Sequence, residues 1–322
     1  MSTPRLMTGM ALFSAATLAL AACGGGGADT DADAGAEDTM VAEDTMEAED
    51  TMEAEDGASE DAMTEFAAGS TMARIADAGV LKVGTKFDQP GFGLANLEGV
   101  PEGFDVEIAK IIAEELGVPE DGIEYTQTPS AIREEVLENG TVDLVAATYT
   151  INEERAERID FAGPYYVAGQ ALMVRTEDAE TITAPEDLSD SAIRVCSVNG
   201  STPSENIREY LGSEDQLTLF ETYSECADAM ANDQVDVVTT DNVILLGLVE
   251  ASDGAFTLVG EAFTEEPYGI GVANEDVEFC QFINDSLEKA NEDGRYAEAW
   301  SSTAGSIAGA EEAKFPELVP CE

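Results

Sequence analysis

The run Asn139-Gly140-Thr141-Val142-Asp143-Leu144-Val145 returns 93 residues later as Asn232-Asp233-Gln234-Val235-Asp236-Val237-Val238. Each copy reads as a helix end, a turn and a buried strand. Asn, Asp and Gly tolerate the left-handed backbone that stops a helix, and the unbroken Val/Leu run suits a strand covered on both faces. Around the first copy, short Val- and Ile-rich runs alternate with helical periods at 80–87, 106–116, 123–128, 131–137 and 142–147, the order βαβαβ. Around the second copy the same order recurs: strand 193–198, helix 205–211, strand 217–222, helix 225–232, strand 235–240. The repeated order predicts an α/β protein of two similar, doubly wound lobes. A further strand at 268–273 and helices at 278–290 and 295–301 exceed what the second lobe needs and are expected to return to the first. The predicted lobes are 71–167 with 265–322, and 168–264.

The chain has 322 residues, enough for a large core without metal or disulfide support. Its 68 Asp and Glu against 14 Lys and Arg give a net charge of -54, which repels phosphate backbones and excludes nucleic acid as a partner. There is no His, so Ser-His, Cys-His and His-metal chemistry is excluded. Any catalysis would need carboxylates, Lys, Arg or Tyr, and no metal or cofactor is expected.

Residues 1–22 carry Arg5 and then an apolar stretch at 10–22, too short to span a bilayer and placed like the core of an export signal. It ends on Leu20-Ala21-Ala22-Cys23, which resembles a bacterial lipobox and implies a lipidated Cys23 on the outer face of the cell membrane. Residues 24–70 hold sixteen acids, no base and one aromatic, Phe66, with the unit Ala-Glu-Asp-Thr-Met recurring every six residues from Ala36. Such a segment cannot bury enough apolar area to offset its ordering entropy and is predicted to be a disordered tether, ~35–40 Å from end to end. Only Arg5 among the bases precedes residue 71, so residues 71–322 keep 52 acids against 13 bases. That surface resembles those of salt-adapted proteins, whose self-repulsion is screened at high ionic strength. Cys196, Cys226, Cys280 and Cys321 leave three possible pairings for two disulfides. Cys196 with Cys226 and Cys280 with Cys321 is favoured, since the first pair ties a strand to the helix beside it and the second pins the C-terminal tail to the last long helix.

In open α/β sheets a ligand sits off the carboxyl ends of the strands. The polar residues there are Gly84-Thr85-Lys86 with Gln89, Thr148-Tyr149-Thr150 leading to Arg155, Asn199-Gly200-Ser201-Thr202, and Thr240-Asp241-Asn242.

Gly103-Phe104-Asp105-Val106-Glu107-Ile108, with Ile112-Ala113 and Leu116, and Thr148 through Arg155 followed by Ile159-Asp160-Phe161, resemble the polar amino-acid family (family 3) of solute-binding proteins from ATP-driven (ABC) importers. The likeness runs from about residue 80 to 300. Within the family, 84–91 and 195–203 look like the glutamate-binding lipoproteins of high-GC Gram-positive bacteria. The resemblance implies a two-lobed, periplasmic-binding-protein-like fold closing about a two-strand hinge, near 168–171 and 262–268. By position it implies that Arg155 clamps the ligand α-carboxylate, that Asp241 receives the α-ammonium, and that Thr148, Thr150, Ser201 and Thr202 surround them. An Arg fork suits a carboxylate and a strand-end Asp suits an ammonium. Two plainer readings compete: Arg155 in a surface ion pair with its Glu neighbours, and Asp241 as the cap of the next helix. Lys86 stands where relatives that bind cations or glutamine carry an acid. Arg155 and Lys86 against Asp241 leave a charge of +1, which favours an acidic amino acid. Gln89 is expected to donate to its side-chain carboxylate, while Tyr149, Tyr165, Tyr166 and Phe92 all remain open as cleft walls. The implied partners are L-glutamate or a related amino acid, an ABC permease with its ATPase, and the membrane through the lipid; the protein is expected to be a monomer. The alternatives are an aspartate or glutamine binder of the same family, or an exported cyclohexadienyl (prephenate/arogenate) dehydratase on the same fold.

Overall fold

The computed structural model describes residues 65–321; the export signal, Cys23 and most of the tether lie outside them. The chain lays down β1 (Leu81–Thr85), a small sheet of β2 (Asp88–Gln89), β3 (Gly93–Ala95) and β4 (Pro101–Glu102), then β5 (Ile123–Gln127), β6 (Leu144–Thr150) and β7 (Asp160–Ala168). It crosses into the second lobe for β8 (Gln170–Arg175), β9 (Val195–Val198), β10 (Leu217–Phe220), β11 (Val237–Asp241) and β12 (Phe256–Val259), and returns as β13 (Glu266–Val272). The two five-stranded sheets have the orders β5-β1-β6-β13-β7 and β10-β9-β11-β8-β12. In each, three parallel strands are followed by an antiparallel one contributed by a crossing segment, β13 in lobe 1 and β8 in lobe 2. The crossings lie side by side: Glu266 pairs with Ala168, and Gly169 packs so close to the Thr264 carbonyl that a Cβ would stand 2.7 Å from it.

All seven residues of β6 are buried because both of its faces are covered. Leu144 and Ala146 point into the cluster that holds the helices Phe104–Glu115 and Val277–Asp293, while Val145, Ala147 and Tyr149 point to Val136 and Leu137 on the other side. The repeated sequence does the same job twice. Asn139 ends the helix Arg133–Glu138 and Gly140 follows at φ +68°; Asn232 ends the helix Tyr223–Ala231 and Asp233 follows at φ +55°. Both disulfides are present, Cys196–Cys226 with Cα atoms 5.7 Å apart and Cys280–Cys321 with 5.9 Å.

Some features depart from the sequence reading. Ordered packing begins before residue 71, because Phe66 sits edge-on to Phe282 at 5.5 Å and Ser70 caps the helix Thr71–Ala78. The helix expected at 205–211 starts earlier, as Thr202–Asn206 capped by Ser201, and tightens into a 3₁₀ turn from Ile207. The long strand β7, not among the predicted strands, contains Gly163-Pro164 and lies at the edge of its sheet, where a proline is tolerated. A register shift on β13, between Tyr268 and Ile270, accommodates it.

Candidate ligand-binding site

Residues at and just beyond the carboxyl ends of β5, β6, β9 and β11 line a small space between the lobes, about 10 Å³ in volume. Lobe 1 contributes Ser130, Arg133, Thr148 and Thr150. Lobe 2 contributes Ser201, Thr202 and Pro203 from the turn after β9, Tyr223 from the helix Tyr223–Ala231, and Thr240, Asp241 and Ile244.

Thr148 has φ +44°, a left-handed conformation that costs a β-branched residue energy and persists only where its surroundings impose it. The Asp105 carboxylate imposes it by accepting the Thr148 N–H at 2.8 Å and the Tyr165 O–H at 2.6 Å. Burial raises the Asp105 carboxyl to about 7. Thr148 Oγ1 donates to the Ala147 carbonyl at 2.8 Å and to Gln89 Oε1 at 3.0 Å.

Arg133 is 2% exposed and carries the cation of the cavity wall. Its Nη1 donates to the carbonyls of Ala147 and Thr148, and its guanidinium lies 4.1 Å from the centre of the Tyr149 ring. Its Nε has no partner. Asp241, 3% exposed, accepts the Tyr268 O–H on Oδ2 at 2.6 Å, while its Oδ1 has no partner. It occupies the cap position of the helix Asn242–Ala251 without its side chain capping it, so the plain capping role is not the one it fills. Burial, reinforced by Glu266, raises its carboxyl to about 7. Thr240 Oγ1 is also unpartnered. A buried unpaired group costs about 1–3 kcal/mol, more when charged. One small cavity thus carries an unpartnered cationic donor and an unpartnered carboxylate oxygen, the complement of a ligand with an anionic and a cationic end.

Five of the eight residues picked from sequence line this space: Asp241, Thr148, Thr150, Ser201 and Thr202. Lys86, Gln89 and Arg155 do not line it themselves but stand directly behind or beside residues that do. Lys86 Nζ donates to Ser130 Oγ at 2.8 Å and stands one hydrogen bond behind the wall; burial, then Arg133, lowers its ammonium to about 7. Gln89 stands behind Thr148. Arg155 spans the two lobes, with Nη1 on the Thr150 carbonyl at 2.6 Å, Nη2 on the Gly200 carbonyl at 3.2 Å and Nε 3.5 Å from Glu134. It lines the outer cleft, which shares Ser130, Ser201 and Thr202 with the inner cavity. Burial and Arg133 lower its guanidinium to about 10. The lobes meet closely here, since Gly200, at φ +73°, has room for no Cβ against Ala131.

Arg133 was hidden by its neighbours Glu134 and Glu135, which make it look like a surface residue. Its signal is spacing: it shares a helix face with Val136 and Leu137, both core residues. None of the four open aromatics lines the cavity. Tyr149 instead lies beneath Arg133 and Arg155, and Phe92, Tyr165 and Tyr166 belong to the lobe 1 core; Tyr223 is the aromatic wall.

The family model described as bacterial extracellular solute-binding proteins, family 3, matches residues 81–302. The glutamate-binding protein GluB of Corynebacterium efficiens is 43% identical over 227 residues, 68% of this chain and 76% of that protein. The ABC transporter glutamine-binding protein GlnH of Bacillus subtilis is 39% identical over 231 residues, 71% of this chain and 83% of that protein. Among solved structures, an ancestral arginine-binding protein bound to glutamine is 34% identical with a TM-score of 0.65, covering 70% of this chain and 97% of that one.

Proposed function

Because the chain belongs to the bacterial extracellular solute-binding proteins of family 3, a family of binders rather than enzymes, we propose that it captures an acidic amino acid, L-glutamate first, between its lobes. It then delivers the ligand to an ATP-driven importer. The observation that carries this reading is that Arg133 and Asp241, whose buried Nε and Oδ1 have no partner, line one space between the lobes. In this reading Asp241 takes the α-ammonium. The Thr150 hydroxyl, with the remaining N–H groups of Arg155, takes the α-carboxylate, while Ser201 and Thr202, whose hydroxyls donate to the Val198 carbonyl and to Glu266, wall the space beside it. Arg133, with Lys86 behind Ser130, takes the side-chain carboxylate, and the cations favour glutamate over glutamine and oppose arginine. The names of the GluB and GlnH relatives support an amino-acid ligand of this class. Residues 1–23 support export and a lipid anchor, with the acidic segment as the tether. Cleavage before Cys23 and a lipid adduct on it, seen by mass spectrometry of the exported protein, test that part.

The reading makes affinity depend on pH. Receiving an ammonium needs Asp241 ionised, and its carboxyl is raised to about 7; holding a second carboxylate favours protonated Lys86, lowered to about 7. Below that pH the free protein must give up a proton from Asp241 to bind, and above it must take one up on Lys86. Glutamate affinity is therefore expected to peak near neutrality and to fall by up to roughly tenfold per pH unit on either side. Titrations across the range check this, and a flat profile contradicts it.

A further inference from the structure

Between Lys86 and Gln89 lies Asp88, which no part of the ligand site uses. It belongs to lobe 1, on β2, yet its partners are in lobe 2. Asp88 Oδ2 accepts the N–H of Tyr223 at 2.9 Å, and the Asp88 carbonyl accepts the Ser224 hydroxyl at 3.2 Å. Tyr223 opens the nine-residue helix Tyr223–Ala231, whose own cap, Thr222, satisfies the N–H of Glu225 and leaves that of Tyr223 unserved. The same helix supplies the cavity wall through Tyr223 and is tied to β9 by Cys196–Cys226. Two residues on, the Pro90 carbonyl meets another lobe 2 helix, Asn242–Ala251, so closely that a Cβ on Gly247 would lie 2.6 Å from it. Gln89, between them, bonds to Thr148 of the cavity. One short segment of lobe 1 therefore touches two of the three lobe 2 helices that border the cavity and one of its strand ends.

We propose that Asp88 is a closure latch, a lobe 1 carboxylate that holds the start of the lobe 2 helix Tyr223–Ala231 when the lobes are shut and so sets how long a ligand stays, without touching it. The proposal rests on the reading that the lobes close on a ligand. A negatively charged acceptor at a helix start is favourable on two counts, the hydrogen bond and the helix dipole. Its contribution here exists only in the closed state, so losing it shifts the open-closed equilibrium and the release rate, not the choice of ligand.

The test uses the full chain with Asp88→Ala, Asp88→Asn and Gly247→Ala. L-Glutamate release, followed by stopped flow, is expected to quicken roughly five- to tenfold in D88A. In D88N, whose side-chain oxygen still accepts the Tyr223 N–H, release should stay within about threefold, and the glutamate-to-aspartate preference should be unchanged in both. G247A, which wedges a methyl against Pro90, should speed release as well. Equal release in D88A and wild type overturns the proposal, and so does D88N failing as badly as D88A. A second readout, single-molecule energy transfer between dyes at exposed Glu135 and Asp215, separates the latch from the ligand assignment. If the wild type binds no amino acid, the capture reading fails, yet a smaller closed fraction in D88A with recovery in D88N still supports the latch. An unchanged closed fraction overturns it.

Discussion

Asp241→Asn is expected to weaken L-glutamate binding on the order of a hundred- to a thousandfold, because it removes the charge facing a buried ammonium while keeping the side chain's shape. The neighbouring structure has little reason to change. The Asn oxygen can still accept the Tyr268 hydroxyl, which Asp241 accepts at 2.6 Å. Burial opposes the ionised carboxyl in the empty cavity, so removing it should leave the melting temperature of the ligand-free protein at neutral pH unchanged or higher. The sign follows from linkage: an acid whose folded value is raised above its unfolded one destabilises the fold at pH values above the unfolded one, and that penalty disappears in the variant. Calorimetric titration beside a melting curve therefore separates the site from the fold. Binding within threefold of wild type would remove Asp241 from the ammonium role.

Arg133→Met is the second large effect. Met keeps an apolar stem of similar length but removes the guanidinium that lies over the Tyr149 ring and its donors to the Ala147 and Thr148 carbonyls. Glutamate affinity is expected to fall roughly a hundredfold, and glutamine affinity much less, so that the preference between them collapses. Arg155→Met is expected to behave differently. Arg155 ties the Thr150 carbonyl of lobe 1 to the Gly200 carbonyl of lobe 2 and stands beside the proposed α-carboxylate position, which both ligands share. Its loss should weaken glutamate and glutamine together. If Arg155→Met were the change that levelled the preference, the two arginines would have to exchange roles.

The sheets were legible because their signals are local: unbroken Val and Leu runs, helical periods, and the twice-used Asn turn at 139 and 232. The strands that local signals leave out are β7, β8 and β12; β7 contains Gly163-Pro164 and Gly169 stands directly before β8, residues that ordinarily end strands. The small sheet carrying Asp88 consists of two- and three-residue strands, too short for any period. Asp241 and the hydroxyls of Thr148, Thr150, Ser201 and Thr202 were readable because strand ends are where such folds expose polar groups. Lys86 and Arg155 were read as ligand contacts because charge at a strand end is conspicuous. What sequence does not give is which of several nearby charges faces inward. The structure places Lys86 against Ser130, Arg155 against two carbonyls at the outer cleft, and Arg133, masked by two flanking glutamates, on the space itself. Asp105 shows the opposite case. It was visible as part of a family pattern, and the structure supplies its physical job, holding Thr148 in a conformation that a β-branched residue otherwise avoids.

In the proposed complex one acidic amino acid is held between the lobes by Asp241 at one end and by arginines at the other. Calorimetric titration of the oxidised chain in molar NaCl with L-glutamate, and with aspartate, glutamine and arginine as competitors, tests it most directly. The account predicts tight one-to-one binding of glutamate, weaker binding of glutamine, and no competition from arginine. A folded chain that gives no heat with any amino acid, or that binds arginine as well as glutamate, would contradict it.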